Sequence, residues 1–288
     1  MSGLVVAITG SQGYVGRHIA RAVTEAGHDV VALDRHQPLL GDWRFYELGG
    51  APDAQLLRGI HVVVHCAYDM SLTRASDIAR VNVGGTQQLL AMAASSGVRF
   101  CFISSMSAFA GTRQLYGRAK LASERDVLSR QGPVLRLGLV YGGEQGGMVQ
   151  TLGRIARLPV IPVIGASCRQ FTVHADDMAA AVLKVIAGAA VADDAVGLAH
   201  PFGVKFADII RVLAAEHGNQ PVLVPVAWAP VYAAMRAAEH ISLQLPIRAD
   251  SVLGLVRPAA QVPNFDVWSR LGAEIRAFDT SALRPGSA

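Results

Sequence analysis

Charge is scarce in this 288-residue chain: Asp, Glu, Lys and Arg make up 17%, against 51% hydrophobic residues. Such a composition excludes global disorder and predicts a sizeable buried core. The length suits one large α/β domain with a smaller appendage, not three ordinary domains. Cysteine is rare as well. Cys66, Cys101 and Cys168 form no CxxC pair, which argues against a disulfide framework and fits reduced thiols in a cytoplasmic protein. Cys66 and Cys101 border apolar runs and read as packing residues. Runs of one charge sign are missing. The net charge is +4 and the pI about 9.2, yet the basic residues are scattered and not interleaved with aromatics. That argues against a nucleic-acid partner and suits an anionic substrate. The longest apolar stretch, near Ala179–Ala192, is broken by Lys184 and flanked by aspartates, so no membrane span is expected. Met1-Ser2-Gly3 leads directly into a strand, with no targeting leader in view. There is no internal repeat and no low-complexity segment. His61 and His65 fall about 13 Å apart on a strand, too far to share one ion, so no metal site is expected.

What is present is an alternation. Leu4–Thr9 is a short apolar run ending in a glycine-rich turn; Tyr14–Ala26 has helical spacing; Gly27 stops it; Asp29–Asp34 is a second apolar run. This is a βαβ unit of the expected size. The alternation continues with strands at His61–Cys66, Arg99–Ser104 and Val134–Leu139, and helices at Ser76–Ser96 and Tyr116–Arg130. A short strand is placed at Arg44–Leu48. Apolar strands alternating with helices predict a doubly wound parallel sheet of Rossmann type, covered on both faces. Beyond Tyr141-Gly142-Gly143 prolines accumulate, and helices are placed at Asp176–Ala187, Phe206–His217 and Ala229–Ser242. The expected division is a dinucleotide-binding domain over 1–145, with 172–198 returning to it. A smaller substrate-binding lobe is then built from 146–171 and 199–288.

Thr9-Gly10-Ser11-Gln12-Gly13-Tyr14-Val15-Gly16 is a GxxGxxG turn between a strand and a helix. Gly10 permits the tight turn, Gly13 lets the backbone approach a pyrophosphate, and Gly16 allows the helix to pack closely on the strand. The free N–H groups of the helix start then favour phosphate. Asp34 ends the second strand, where a carboxylate can accept both ribose hydroxyls of NAD and repel the 2′-phosphate of NADP. Arg35 beside it is a residue that can hold that phosphate. NAD is therefore the expected cofactor, ahead of NADP. Tyr116-Gly-Arg-Ala-Lys120 places a phenol and an ammonium one turn apart on a helix face. An ammonium or an oxidised nicotinamide nearby lowers a phenol pKa, which lets the pair pass a proton while hydride moves.

In their order along the chain, these motifs resemble the extended short-chain dehydrogenase/reductases, the NAD-dependent epimerase/dehydratase family. The resemblance rests on Thr9–Gly16, Asp34, Glu47-Leu48, His65-Cys66-Ala67, Val81-Asn82-Val83 and Ser104-Ser105. It continues through Tyr116 to Lys120 with Glu124, Arg136-Leu-Gly-Leu-Val-Tyr141-Gly142, and Phe171-Thr-Val-His174-Ala-Asp176-Asp177. It implies that NAD is contacted by Gly10, Gln12, Gly13, Tyr14, Val15, Gly16, Asp34, Arg35, Glu47, Leu48, Cys66, Ala67, Tyr68, Asn82, Ser104, Tyr116, Lys120 and Leu139. It also implies a nucleotide sugar as the commonest substrate, Tyr116 as acid/base, Lys120 on the nicotinamide ribose, and a Ser or Thr hydroxyl on the reacting oxygen. Family members often dimerise through two helices, here 76–96 and 116–130, with Ala91, Ala93 and Ala94 leaving room for close approach.

The pattern departs at the hydroxyl. Counted back from Gly111, the catalytic position falls on Met106, whose thioether cannot donate a hydrogen bond. Counted from the strand end it falls on Ser105, with Ser107 a further candidate. The Thr-Asp-Glu-type triplet of the dehydratases is missing, which disfavours elimination. Arg169 (or Gln170 next to it) and Arg248 are candidates for a phosphate clamp. Three readings stand: a nucleotide-sugar epimerase or reductase, a ketoreductase of a small biosynthetic carbonyl, and a non-catalytic dinucleotide sensor kept open by Met106.

Overall fold

A computed structural model of the chain describes residues 3–38, 41–143, 146–191, 193–240 and 248–279. The first βαβ unit is β1 (Val5–Thr9), α1 (Tyr14–Glu25) and β2 (Asp29–Asp34), followed by β3 (Asp42–Phe45) and β4 (Val62–His65). The next helical stretch is in three pieces: α2 (Ala75–Ile78), a π-helical turn over Ala79–Val83, and α3 (Gly84–Ser95). After it come β5 (Arg99–Ser105), α4 (Leu115–Leu128), β6 (Val134–Leu137), β7 (Leu139–Tyr141) and α5 (Gly147–Ile155). Then follow β8 (Val160–Ile164), β9 (Arg169–Gln170), β10 (Thr172–His174), α6 (Ala175–Ile186), β11 (Val196–Leu198) and β12 (Val204–Lys205). The described chain closes with α7 (Phe206–Ala215), β13 (Val222–Val226), α8 (Trp228–His240), α9 (Ala249–Val256) and α10 (Asp266–Arg270). The expected end of α8 at Ser242, the Leu245–Ile247 approach to Arg248, and residues 144–145 and 280–288 of the expected domains lie outside the described residues.

Seven strands form one sheet in the order β3-β2-β1-β4-β5-β6-β11, every neighbouring pair parallel. Alternation along each strand explains why the runs are apolar throughout. Val6, Ile8, Val62, Val64, Cys101 and Ile103 face one buried layer, which also contains Ile19 of α1 and Met178 and Val182 of α6. Ala7, Val31, Val63, Phe100 and Phe102 face the other, with Leu89 and Leu90 of α3 and Val127 of α4. Trp268 of α10 enters the first layer fully buried and donates its indole N–H to the Gly197 carbonyl at 2.7 Å. The short strand β3 begins and ends earlier than the expected Arg44–Leu48. Its parallel register pairs Val31 with Asp42 and Asp34 with Phe45, so pairing stops where β2 stops, and Glu47 turns back by accepting the Gly50 N–H. Outside the sheet, β8–β13, β9–β12 and β7–β10 are two-stranded pairs.

The order of strands reverses between β1 and β4, which opens a crevice at their C-terminal ends where ligands bind in such sheets. One buried ionic cluster supports this edge. Glu124 of α4 is 1% exposed; it accepts Arg136 Nε at 2.9 Å, Arg136 Nη2 at 2.6 Å and the Ser104 hydroxyl at 2.5 Å. Removing one partner of such a pair leaves a buried charge uncompensated. Arg136→Met is expected to lower stability by about 3–5 kcal/mol in urea unfolding, and Glu124→Leu combined with it to recover most of that loss.

Candidate dinucleotide cleft and active site

The glycine turn is packed too tightly for any side chain at two of its positions. Gly10 has φ of 65°, and a Cβ there would stand 3.1 Å from the Ala67 backbone; at Gly16 it would strike the Gly10 carbonyl. Helix α1 begins at Gly13 with no side-chain cap, so its first N–H groups stay available to an anion. Thr9 sets the approach of the loop after β4: its hydroxyl accepts the N–H groups of both Cys66 and Ala67 at 3.1 Å. With both lone pairs occupied, Thr9 donates its own proton to Nδ1 of the fully buried His65 at 2.7 Å. His65 Nε2–H then donates to Thr86 at 3.0 Å, and Thr86 donates to the Asn82 carbonyl at 2.7 Å. Burial, with the Lys120 charge as the lesser cause, pushes the His65 pKa down to about 3, so the ring stays neutral and its tautomer fixed. His61 instead accepts the Val5 N–H.

Asp34 faces this turn. Its carboxylate accepts the Ser11 N–H at 3.1 Å and the Ser11 hydroxyl; partial burial raises its pKa, opposed by the Ser11 hydrogen bonds. Arg35 is exposed next to it. Gln12 donates to the His36 carbonyl at 2.7 Å, Tyr14 to the Gly142 carbonyl at 2.6 Å, and Val15 packs into the core. An uncapped helix start, a close-packed glycine turn and a strand-end carboxylate together supply the donors and the acceptor that a dinucleotide requires, and the residues fit NAD.

At the far side of the crevice, Ser105 ends β5 and Tyr116 begins α4. The Ser105 hydroxyl lies close enough to the phenol to lower its pKa, and Ser105 Oγ accepts the Ser107 N–H at 3.1 Å. Met106 is buried, its N–H on the Leu137 carbonyl, so Ser105 is the hydroxyl that the strand end brings to the phenol. Gly117 makes the approach possible, because a Cβ there would collide with the Ser107 carbonyl. Lys120 is buried; its Nζ donates to the Ile103 carbonyl at 2.7 Å and lies 4.6 Å from the Phe102 ring centroid and 5.4 Å from that of Tyr68. Burial drives its pKa down to about 8, against the opposing influence of Cys66 and Glu124. The sequence expectation of a lowered phenol pKa is not met in the protein alone. Burial pushes Tyr116 up to about 12, and the Ser105 hydrogen bond offsets only part of this.

Several expected ligand contacts are engaged elsewhere. The Ser104 hydroxyl is held by Glu124. The Asn82 amide binds both backbone groups of Asp69, accepting its N–H at 2.7 Å and donating to its carbonyl at 3.3 Å. Leu48 packs in the core beneath Gly85, Glu47 is exposed, and Leu139 packs with α5 and α7. Arg169 donates to the Gly203 carbonyl at 2.6 Å, bracing β9 against β12, and Gln170 donates to Leu255. Two residues do converge on the site. Tyr68 packs edge-on against Tyr116 with ring centroids 4.8 Å apart. Arg248 acts on Tyr68 electrostatically and donates to the Met70 carbonyl at 2.9 Å. The Tyr68 hydroxyl and Arg248 Nε are buried and have no hydrogen-bond partner among the described residues. Ser11, Thr9 and Gly117 were not singled out as site residues by sequence, although all three lie inside quoted motifs, Thr9 and Ser11 in the glycine turn and Gly117 between Tyr116 and Lys120.

The buried ammonium has a measurable cost. Its folded pKa of about 8 lies below the 10.5 usual for a lysine. Between these values the unfolded chain binds the proton that the folded chain has lost, so this group makes stability rise with pH. Lys120→Met is expected to raise the melting temperature at pH 7 by a few degrees, and the advantage to shrink as pH climbs from about 8 to 10.5.

Comparison with known proteins agrees with this geometry. Residues 6–196 match the model of the NAD dependent epimerase/dehydratase family. The ceramide reductase of Caulobacter vibrioides is 33% identical over 190 residues, covering 61% of this chain and 59% of that protein. The dTDP-4-dehydrorhamnose reductase of Mycolicibacterium smegmatis is 28% identical over 207 residues, covering 64% and 60%. The chain thus spans about three-fifths of the length of each of these relatives. Among solved structures, MoeE5 in complex with UDP-glucose and NAD superposes with a TM-score of 0.73 at 21% identity, over 96% of this chain and 95% of that one. The ADP-L-glycero-D-manno-heptose-6-epimerase of Helicobacter pylori superposes with a TM-score of 0.72 at 17% identity, over 98% and 94%. With two thirds of its length matched by the family model and the cradle intact, the chain belongs to the NAD dependent epimerase/dehydratase family.

Proposed function

We propose that this protein is an NAD-dependent epimerase or reductase acting on a sugar hydroxyl or ketone, with a nucleotide sugar as substrate. The observation that carries the reading is the meeting of Tyr116, packed against Tyr68 and one turn from the buried Lys120, with Ser105 at the end of β5, in the same fold as the glycine cradle. NAD, when bound, accepts or returns a hydride at its nicotinamide. Ser105 holds the reacting oxygen of the substrate, and Tyr116 takes or gives the proton at its phenol oxygen. Lys120, charged below about pH 8, is the cation that draws the phenol towards the phenolate once NAD fills the cleft; the aromatic walls of Phe102 and Tyr68 beside it keep water out. Met106 does not weaken the enzymatic reading, because it is buried in the core behind Ser105. Support for the nucleotide sugar comes from Arg248, whose buried Nε lacks a partner among the described residues, and from the full-length likeness to a protein seen with UDP-glucose.

A second reading, reduction of a carbonyl that carries no nucleotide, is favoured by the likeness to the Caulobacter ceramide reductase and by the half-exposed Met70 next to Arg248. Thermal stability with NAD, NADH, NADP and NADPH, each with UDP, dTDP, GDP or their hexose conjugates, separates the two. The nucleotide-sugar reading expects stabilisation by NAD or NADH and a further shift with one nucleotide. A dinucleotide shift with none from any nucleotide gives the second reading the lead. In either case Tyr116→Phe is expected to lower kcat by about 10²-fold or more while dinucleotide binding persists; unchanged turnover defeats the acid/base role.

The proposal includes a homodimer in the cytoplasm. Ile78, Val83, Leu121 and Ala122 line an apolar groove between the helical stretch after β4 and α4. Ala93 is buried in the core, so Ala91 and Ala94 are the small residues left on the outer face. A monomer by light scattering removes the dimer.

A further inference from the structure

Helix α4, which carries Tyr116, has no local cap: Gln114 stands at its N-cap position and makes no capping hydrogen bond. The cap comes from another part of the chain. Asp250, in the first turn of α9, accepts the Leu115 N–H at 2.7 Å with one carboxylate oxygen and the Tyr116 N–H at 3.0 Å with the other. The carboxylate is buried between two helix starts, so both positive ends face it. The start of α9 is itself without a local cap; Glu239 of α8 accepts the Ala249 N–H at 2.8 Å and is held in turn by Arg236 at 3.2 Å. The two helices are also in close contact, for a Cβ at Gly254 would stand 2.8 Å from the Gln114 amide. Three helices are thus joined in series by carboxylates, from the smaller lobe to the backbone N–H of the residue that bears the phenol.

We propose that Asp250 is a positioning residue for Tyr116, fixing the first turn of α4 so that the phenol meets Ser105, with Glu239 holding Asp250 in place from α8. The inference rests on the reading of Tyr116 as acid/base for its importance, not for its geometry. The groups facing the phenol are Ser105 on β5 and Tyr68 in the loop after β4; Lys120 lies over the Tyr68 ring, and Arg248, Asp69 and Asp250 act on Tyr68.

Charge and position have opposite consequences, and this separates them. Asp250→Asn removes the negative charge and keeps the shape and one of the two acceptor oxygens, so the first turn stays held by one bond and the phenol ionises at the same pH or a lower one. Asp250→Ala removes charge and acceptor together, so the first turn loosens and the phenol loses Ser105. The experiment is a spectrophotometric titration of tyrosinate with NAD bound, by alkaline pH jumps read before unfolding, with the Tyr116→Phe trace subtracted. The alanine variant is expected to titrate at least about one pH unit above the asparagine variant, a ten-fold difference in ionisation. Coincident titrations of the two overturn the proposal, because a bystander or a mere charge affects both alike. If Asp250→Ala does not fold, Asp250→Ser, whose shorter side chain does not carry its oxygen out to the Leu115 and Tyr116 N–H groups, takes its place; it is expected above asparagine, and coincidence again overturns the proposal. Turnover of Tyr116→Phe tests the acid/base reading separately, since the titration needs no substrate.

Discussion

The Thr9 hydroxyl is the contact on which the cleft depends. It lies where the strand order reverses, and it accepts two backbone N–H groups of the loop after β4. That double acceptance draws Ala67 against Gly10, and the tight approach makes a side chain at Gly10 intolerable. It also leaves Thr9 only as a donor to His65, which fixes the imidazole tautomer and passes the orientation on through Thr86 to the carbonyl of Asn82. The Asn82 side chain in turn fixes Asp69, so one hydroxyl organises the loop that carries Tyr68. Such a chain of donors has a single direction, because Thr9, with both acceptor sites taken, can only donate to His65, and each later member donates in turn.

The parts of the protein readable from sequence are those encoded by short-range spacing. Strand–helix alternation gave the parallel sheet because buried strands must be apolar on both faces, as Val6-Ala7-Ile8 is. Gly10, Gly13, Gly16 and Asp34 could be placed because the turn and strand end that need them are local. The choice among Ser104, Ser105, Met106 and Ser107 was not readable. Alternation along β5 puts Ser104 on the same face as Phe100 and Phe102, beneath α4, where Glu124 takes its hydroxyl; Ser105 remains at the strand end, next to Tyr116. A difference of one residue reverses that assignment, and no local pattern records the register.

The arginines illustrate the same limit. Arg169 and Arg248 are equivalent in sequence as isolated cations near a strand or helix start. The structure gives Arg169 to a carbonyl beside its partner strand β12 and leaves Arg248 with a buried nitrogen that is unmatched among the described residues. The phenol shows a further difference between motif and environment. Spacing in YxxxK implies an activated tyrosine, yet desolvation dominates in the protein alone and holds the proton on Tyr116. Lys120 is meanwhile held in place by the Ile103 carbonyl and two aromatic faces. Readiness for chemistry therefore waits on what fills the cleft.

The long sequence separation between Asp250 and the helix it caps also sets an order of assembly. A chain emerging from the ribosome has the strands β1 to β6 and the glycine turn available well before residue 250 leaves the exit tunnel. During that interval α4 can pack its buried face, but its first two N–H groups face water. A nascent chain can thus acquire a dinucleotide pocket before its tyrosine is locked in register, and the two capacities mature at different times in synthesis.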